Sequence, residues 1–183
     1  VPTGVPMEVA ALVGCSVMTG VGAVSNTAKV PVGSTVAVIG CGGVGLNVIQ
    51  GAALAGAARI IAVDVFENKL AAAKEFGATD VVDASQDDPV GKILGMTGGG
   101  VDFAFDCIGI RKTMEQIVPA CRTGHFGARD GGTAVLVGVP STNVELNAMD
   151  VLLHEKHFIG SIGGSCAPDR DFPRFLEWQQ NGD

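Results

Sequence analysis

The sequence predicts an α/β fold, a doubly wound parallel sheet of six strands in the order 3-2-1-4-5-6, on three observations. Six short apolar runs alternate with helix-like stretches along 183 residues. The first run passes straight into Gly40-x-Gly42-x-x-Gly45, and the second ends on an acid, Asp64. Strands that alternate with helices pair in parallel and are covered on both faces.

The elements follow in order. Residues 1–32 read as leading helices, with no charge anywhere in Val9–Ala28. Val30–Ala58 is also uncharged, and a hydropathy window flags both stretches as spans. The second holds seven glycines with Asn47 and Gln50, and turns from strand-like to helix-like halfway along. That describes a buried βα unit, so no membrane partner is expected. Its strand is placed at 35–40 and its helix from Gly43. Further strands are expected at 59–64, 80–83, 101–106, 133–139 and 156–162. Between them Phe66, Leu70 and Ala73 share a helical face, and Met114, Ile117, Val118 and Cys121 recur at i, i+3, i+4, i+7. Thr123–Gly132 is a polar, glycine-rich loop, longer than is usual in such folds. The last helix is expected near Phe172–Pro173, with Asp171 as N-cap and Phe172, Phe175 and Leu176 buried. Together these form one domain over 1–183: leading helices to 32, a dinucleotide-binding Rossmann core over 33–163, and a closing helix over 164–183.

Each motif glycine has its own reason to lack a side chain. Gly40 makes the tight turn out of the strand, Gly42 lets the backbone approach a pyrophosphate, and Gly45 lets the helix pack on the sheet. The helix beginning near Gly43 then aims free N–H groups and its positive dipole end at the phosphates. Asp64 lies 24 residues after Gly40, the offset at which an acid takes the adenosine ribose hydroxyls. A carboxylate there repels a 2′-phosphate, so the expected cofactor is NAD and not NADP. Lys69 falls in the first turn of the next helix, where a cation opposes the dipole; it is read as a second ribose contact or an ordinary solvated lysine. Three more strand ends should line the crevice: Asp106–Gly109, Val137–Pro140 and Ser161–Gly164, the last including Ile162. Gly109 and Gly138 have the small size that ligand approach or a plain turn requires.

Twelve basic and nineteen acidic residues give a net charge of −7, which offers no footprint for nucleic acid. Partners should be small molecules or proteins. The five cysteines, at 15, 41, 107, 121 and 166, form no CxxC pair, a pattern that fits a reducing cytoplasm. His154 and His157 lack a third ligand nearby and are read as surface residues. The chain starts at Val1 with no basic segment ahead of an apolar one, so no signal peptide is expected. The missing initiator methionine points to a piece of a longer protein.

Gly14-Cys15-Ser16-Val17-Met18-Thr19-Gly20, the Gly33–Gly40 run, Ala62-Val63-Asp64 with Lys69, Lys74–Thr79, Val101-Asp102 with Asp106–Gly109, and Val135–Pro140 resemble the zinc-containing alcohol dehydrogenases of the medium-chain dehydrogenase/reductase superfamily. The resemblance covers nearly the whole chain. It looks closest to the NAD-dependent alcohol dehydrogenases and their glutathione- or mycothiol-dependent formaldehyde-oxidising relatives. It implies that Cys15 is a thiolate ligand of catalytic zinc, that Thr19 touches the nicotinamide, and that Val44 packs behind its ring. It further implies that Ile108, Val137 and Val139 line the adenosine and nicotinamide sites. The implied chemistry is hydride transfer between an alcohol or aldehyde and NAD, with zinc polarising the substrate oxygen. The other zinc ligands, the proton relay and the structural zinc lobe would belong to a preceding catalytic domain, so this chain alone is expected to bind cofactor without catalysing. The resemblance implies a homodimer or tetramer through this domain, with Val144–Leu146, His157–Ile162 and Val151–Leu153 as the local candidates.

Three other readings compete. A non-catalytic NAD-binding module would share every feature except a need for Cys15. An S-adenosylmethionine methyltransferase has no phosphate to meet the helix after Gly42-Gly43-Val44-Gly45. The zinc-free quinone reductases of the same superfamily take NADPH, which Asp64 opposes.

Overall fold

The computed structural model describes residues 5–127 and 130–181. Strands β1 (Thr35–Ile39), β2 (Arg59–Asp64), β3 (Asp80–Asp83), β4 (Phe103–Asp106), β5 (Thr133–Leu136) and β6 (His157–Gly160) form one parallel sheet, ordered β3-β2-β1-β4-β5-β6. This is the expected order. In register, Ala37 of β1 lies between Ile61 of β2 and Ala104 of β4.

Both faces of the sheet are covered, and alternation along single strands shows it. Val36, Val38, Ile60 and Ala62 enter one core, while Ala37, Ile39, Ile61 and Val63 enter the other. Helices α3 (Gly43–Leu54) and α4 (Glu67–Glu75) close the first core through Val48, Ile49, Ala52, Leu70 and Ala73. Helices α5 (Pro89–Thr97) and α6 (Arg111–Ala120) close the second through Ile93, Ile117 and Val118. Each such fully buried aliphatic side chain contributes roughly 1.5–3 kcal/mol.

The leading segment is helical throughout Met7–Ala28: α1 (Met7–Leu12) and α2 (Met18–Gly22) are each continued by a π-helical turn, Val13–Val17 and Ala23–Ala28. By length and composition this run could cross a membrane. Here Ala23 and Val24 enter the sheet core, and Val13 and Val21 pack with Phe175 and Leu176. A short α7 (Ala148–Leu153) precedes the edge strand β6, and α8 (Pro168–Asn181) closes the described chain.

Two expectations need correction. The strands expected at 101–106, 133–139 and 156–162 are shorter at one end or both. Val101 makes only a bridge to Cys121. β5 ends at Leu136 because the next two N–H groups, of Val137 and Gly138, both turn to the Asp106 carbonyl. Second, α8 begins at Pro168, five residues before Pro173, and Asp171 lies inside it. The Asp171 carboxylate reaches back one turn to accept from the Ala167 N–H at 2.8 Å, so it caps the helix from within. Gly109 turns at φ +85°, as a plain turn requires, and both glycines have a further reason to be small: a Cβ at Gly138 would strike the Gly109 backbone, and one at Gly109 the Val139 backbone. Their small size lets two strand ends close on each other. In the Thr123–Gly132 loop, Gly124 and Gly131 donate to the carbonyls of His154 and Glu155, while Ala128 and Arg129 lie outside the described residues, as do the ends of the leading and closing segments.

Candidate dinucleotide site

At the carboxyl ends of β1, β2 and β4 opens a cleft of about 620 Å³, whose walls include Gly40, Gly42, Asp64, Lys69 and Ile108. It lies where the strand order reverses, the place where doubly wound sheets take ligands. Gly40 leaves β1 at φ +99°, which a side chain resists, and its N–H still donates to Val63 on β2. A Cβ at Gly45 would fall on the Gly40 carbonyl oxygen, whereas one at Gly42 would meet nothing. The last glycine therefore packs against protein and the middle one faces open space. Helix α3 starts at Gly43 with no side chain capping it, so its first N–H groups remain available to an anion.

Across the cleft stands Asp64, buried to 6% exposure and fixed by backbone. One carboxylate oxygen accepts from Val65 and Phe66 at 2.8 and 3.1 Å, the other from Cys41 at 2.8 Å. Lys69 places its ammonium 3.8 Å from the second oxygen and 5.0 Å from the Phe66 ring centre. That is the reason for a cation in the first turn of α4. Behind this wall burial disfavours charge. Burial, with help from Asp64, pushes the Cys41 thiol up to about 12, and burial beside Asp106 pushes the Cys107 thiol well up. Burial also raises the Asp106 carboxyl, although bonds from Thr113, Ile108 and Gly109 oppose the rise. Asp106 is wholly buried and holds the turn after β4, with Ile108 and Gly109 donating to it at 3.2 and 3.0 Å. The turn carries Ile108 into the cleft.

Sequence reasoning missed several wall residues. Phe66 and Ile110, 56% and 48% exposed, add flat apolar surface on opposite sides of β1. Lys112 and Gln116 add polar groups from α6. The available signal for Phe66 and Ile110 was their position, just after the carboxyl ends of β2 and β4.

The remaining predicted residues lie beyond this cleft. Cys15 and Thr19 sit one turn apart on the leading helical run. Gly20 has no room for a side chain against Val44 and Asn47, so that run lies directly on the first turns of α3. The turn after Ile162 packs on it as well, since a Cβ at Gly164 would strike the Met18 carbonyl. Thr19, Val44 and Ile162 are thus brought to one region, on the other side of α3's amino end from Asp64. Ile162 and Val139 are 92% and 84% exposed there and Val137 is half-buried at the end of β5. Gly43 lines a separate apolar cavity of about 380 Å³, between α1, α3 and α8.

Cys15 is exposed. Among the described residues no three His, Cys, Asp or Glu side chains come together to hold a metal, so these residues do not by themselves make a zinc site. His154 is bonded through Nδ1 to Asp150 at 2.7 Å, and His157 is exposed. What the cleft offers instead is an uncapped helix terminus for a phosphate, a fixed carboxylate for paired hydroxyls, and apolar walls for a flat ring.

Comparison with known proteins agrees with this geometry. The zinc-binding dehydrogenase family model matches residues 43–181. A probable S-(hydroxymethyl)glutathione dehydrogenase of Schizosaccharomyces pombe is 41% identical over 97% of this chain and 46% of its own length. The S-(hydroxymethyl)glutathione dehydrogenase of Saccharomyces cerevisiae is 44% identical over 78% of this chain and 36% of its own. The crystal structure of benzyl alcohol dehydrogenase from Acinetobacter calcoaceticus superposes with a TM-score of 0.91 at 35% identity, covering all of this chain and 49% of that one. The chain spans less than half the length of the curated relatives it matches.

Proposed function

The chain belongs to the zinc-binding dehydrogenase family, and on that premise we propose that it is the single coenzyme domain of an NAD-linked, zinc-dependent alcohol dehydrogenase. The observation that carries the reading is the facing pair in the cleft: the uncapped terminus of α3 on one side, and the backbone-fixed Asp64 carboxylate on the other. In this reading the N–H groups from Gly42 to Gly45 take the pyrophosphate, Asp64 and Lys69 take the adenosine ribose, and Ile108 lies against the adenosine. Thr19, Val44, Val137, Val139 and Ile162 form the nicotinamide side. When bound, NAD supplies a nicotinamide ring that accepts hydride from an alcohol carbon. The chain's own part is to orient that ring and exclude water from one of its faces.

Cys15 is proposed as one ligand of the zinc, the remaining ligands and the substrate pocket lying on a domain outside this chain. The substrate class is an alcohol or aldehyde, with hydroxymethyl thiol adducts included because both curated relatives are named for one. Pairing of copies through β6 is proposed from its position at the sheet edge and from Leu152 and Leu153 beside it, 71% and 64% exposed. Five free cysteines support a reducing, cytoplasmic setting.

Calorimetric titration of the chain with NAD and then NADP tests the central reading. The expected result is saturable binding of NAD and much weaker binding of NADP; failure of both to bind overturns it. In the parent enzyme, Cys15→Ser should lose zinc and alcohol oxidation together while NAD binding persists.

A further inference from the structure

Once the α3 terminus and Asp64 are taken by pyrophosphate and ribose, the rest of the cleft is a slot for the base. Val65 and Phe66 follow β2 on one side, and Ile108 and Ile110 follow β4 on the other, so the faces of the slot are apolar. Its polar edge comes from α6. That helix buries Met114, Ile117 and Val118 against the sheet, which turns Lys112 and Gln116, one turn apart, toward the cleft. Thr113 also lines the slot, but its hydroxyl is already engaged between the Ile110 carbonyl, at 3.1 Å, and the Asp106 carboxyl. Gln116 is half-buried, and among the described residues its amide has no hydrogen-bond partner. Lys112 is exposed at the rim.

Resting on the function proposed above, we propose that Gln116 reads the base and makes the site specific for adenine. A primary amide presents one donor and one acceptor side by side, the complement of adenine's N6 amino group and N7. Hypoxanthine keeps N7 but carries a carbonyl oxygen at position 6. The amide oxygen then faces another acceptor, and one hydrogen bond is lost inside a partly desolvated slot. The flat apolar walls hold either purine equally well, so discrimination falls on Gln116.

The test is calorimetric titration of the chain with NAD and with nicotinamide hypoxanthine dinucleotide, for the wild type, Gln116→Leu and Gln116→Glu. Expected are roughly tenfold weaker binding of the hypoxanthine analogue by the wild type and near-equal binding of both by Gln116→Leu. Gln116→Glu, which has no donor for N7, should lose NAD affinity. Lys112→Met should keep the full discrimination. Equal binding of the two dinucleotides by the wild type overturns base reading while leaving the dinucleotide site standing. So does a tenfold preference that survives in Gln116→Leu. If the wild type binds neither dinucleotide, the function proposed above fails, and base reading with it. The wild-type comparison stands whether or not a variant folds.

Discussion

Replacing Asp64 by Asn should abolish the discrimination between NAD and NADP with the fold kept. A 2′-phosphate carries about −1.5 to −2 charges. At about 5 Å from the carboxylate and an effective dielectric of about 20, it would be repelled by roughly 5–7 kcal/mol. Lys69, 3.8 Å from the same carboxylate, attracts that phosphate and cancels about half. About 3 kcal/mol remains, a preference for NAD on the order of 10². Asparagine removes the charge but keeps one oxygen, so either Cys41 or the Val65–Phe66 pair retains its acceptor. The stranded N–H costs about 1–3 kcal/mol, within the stability of an ordinary domain. Alanine would strand all three, which makes Asn the cleaner probe. Calorimetry on both proteins at one ionic strength, with a thermal melt of each, should show NADP binding rise and the affinity ratio fall below about ten. A folded Asp64→Asn variant that still prefers NAD by the wild-type margin would refute the charge argument.

The middle and last motif glycines should respond oppositely. Gly42→Ala meets no protein atom, so its melting temperature should hold while NAD affinity falls at least tenfold; Gly45→Ala, with its Cβ on the Gly40 carbonyl, should melt well below the wild type. Equal melting temperatures for the two variants would contradict this. Acid sensitivity should trace in part to Asp171, whose carboxyl is held down to about 2, chiefly by the Arg170 hydrogen bond. A depressed carboxylate stabilises the fold above its unfolded value of about 3.9, and that stability is lost as pH falls from about 4 to 2. Urea midpoints measured from pH 5 to 2 should therefore fall less steeply for Asp171→Asn than for the wild type; parallel curves would count against the assignment. With iodoacetamide at pH 8, mass spectrometry should find Cys15 labelled first. Cys41 and Cys121, both buried and with thiols pushed up to about 12, should stay unmodified until the chain unfolds.

The sheet order was legible because its determinants are local. Each strand is an apolar run, each helix a stretch of different period, and parallel pairing follows from their alternation. The phosphate end of the cleft was equally open to reading, since a strand, three spaced glycines and an acid at a fixed offset are all set along the chain. Lys69 lay at the edge of legibility: its position against the dipole called for a partner, and the partner is Asp64.

What escaped reading depends on contacts between distant segments. Pro173 pointed to a helix start because proline favours the first helical turn, yet the helix begins at Pro168. Pro173 forfeits one backbone bond there. Asp171, wholly buried, offsets the loss by accepting from Ala167 and from Asn26, which is 145 residues away along the chain. No window of sequence contains that pair. For Gly109 and Gly138 the unread part is of the same kind, since each also makes room for a backbone on the neighbouring strand end. The pattern separates two kinds of functional residue. Those proposed to meet the phosphate and ribose are written into one βαβ unit and can be found by spacing. Those proposed for the base or the nicotinamide come from other units, Gln116 on α6 and Ile162 after β6, and would acquire their role only when the sheet sets their strands side by side.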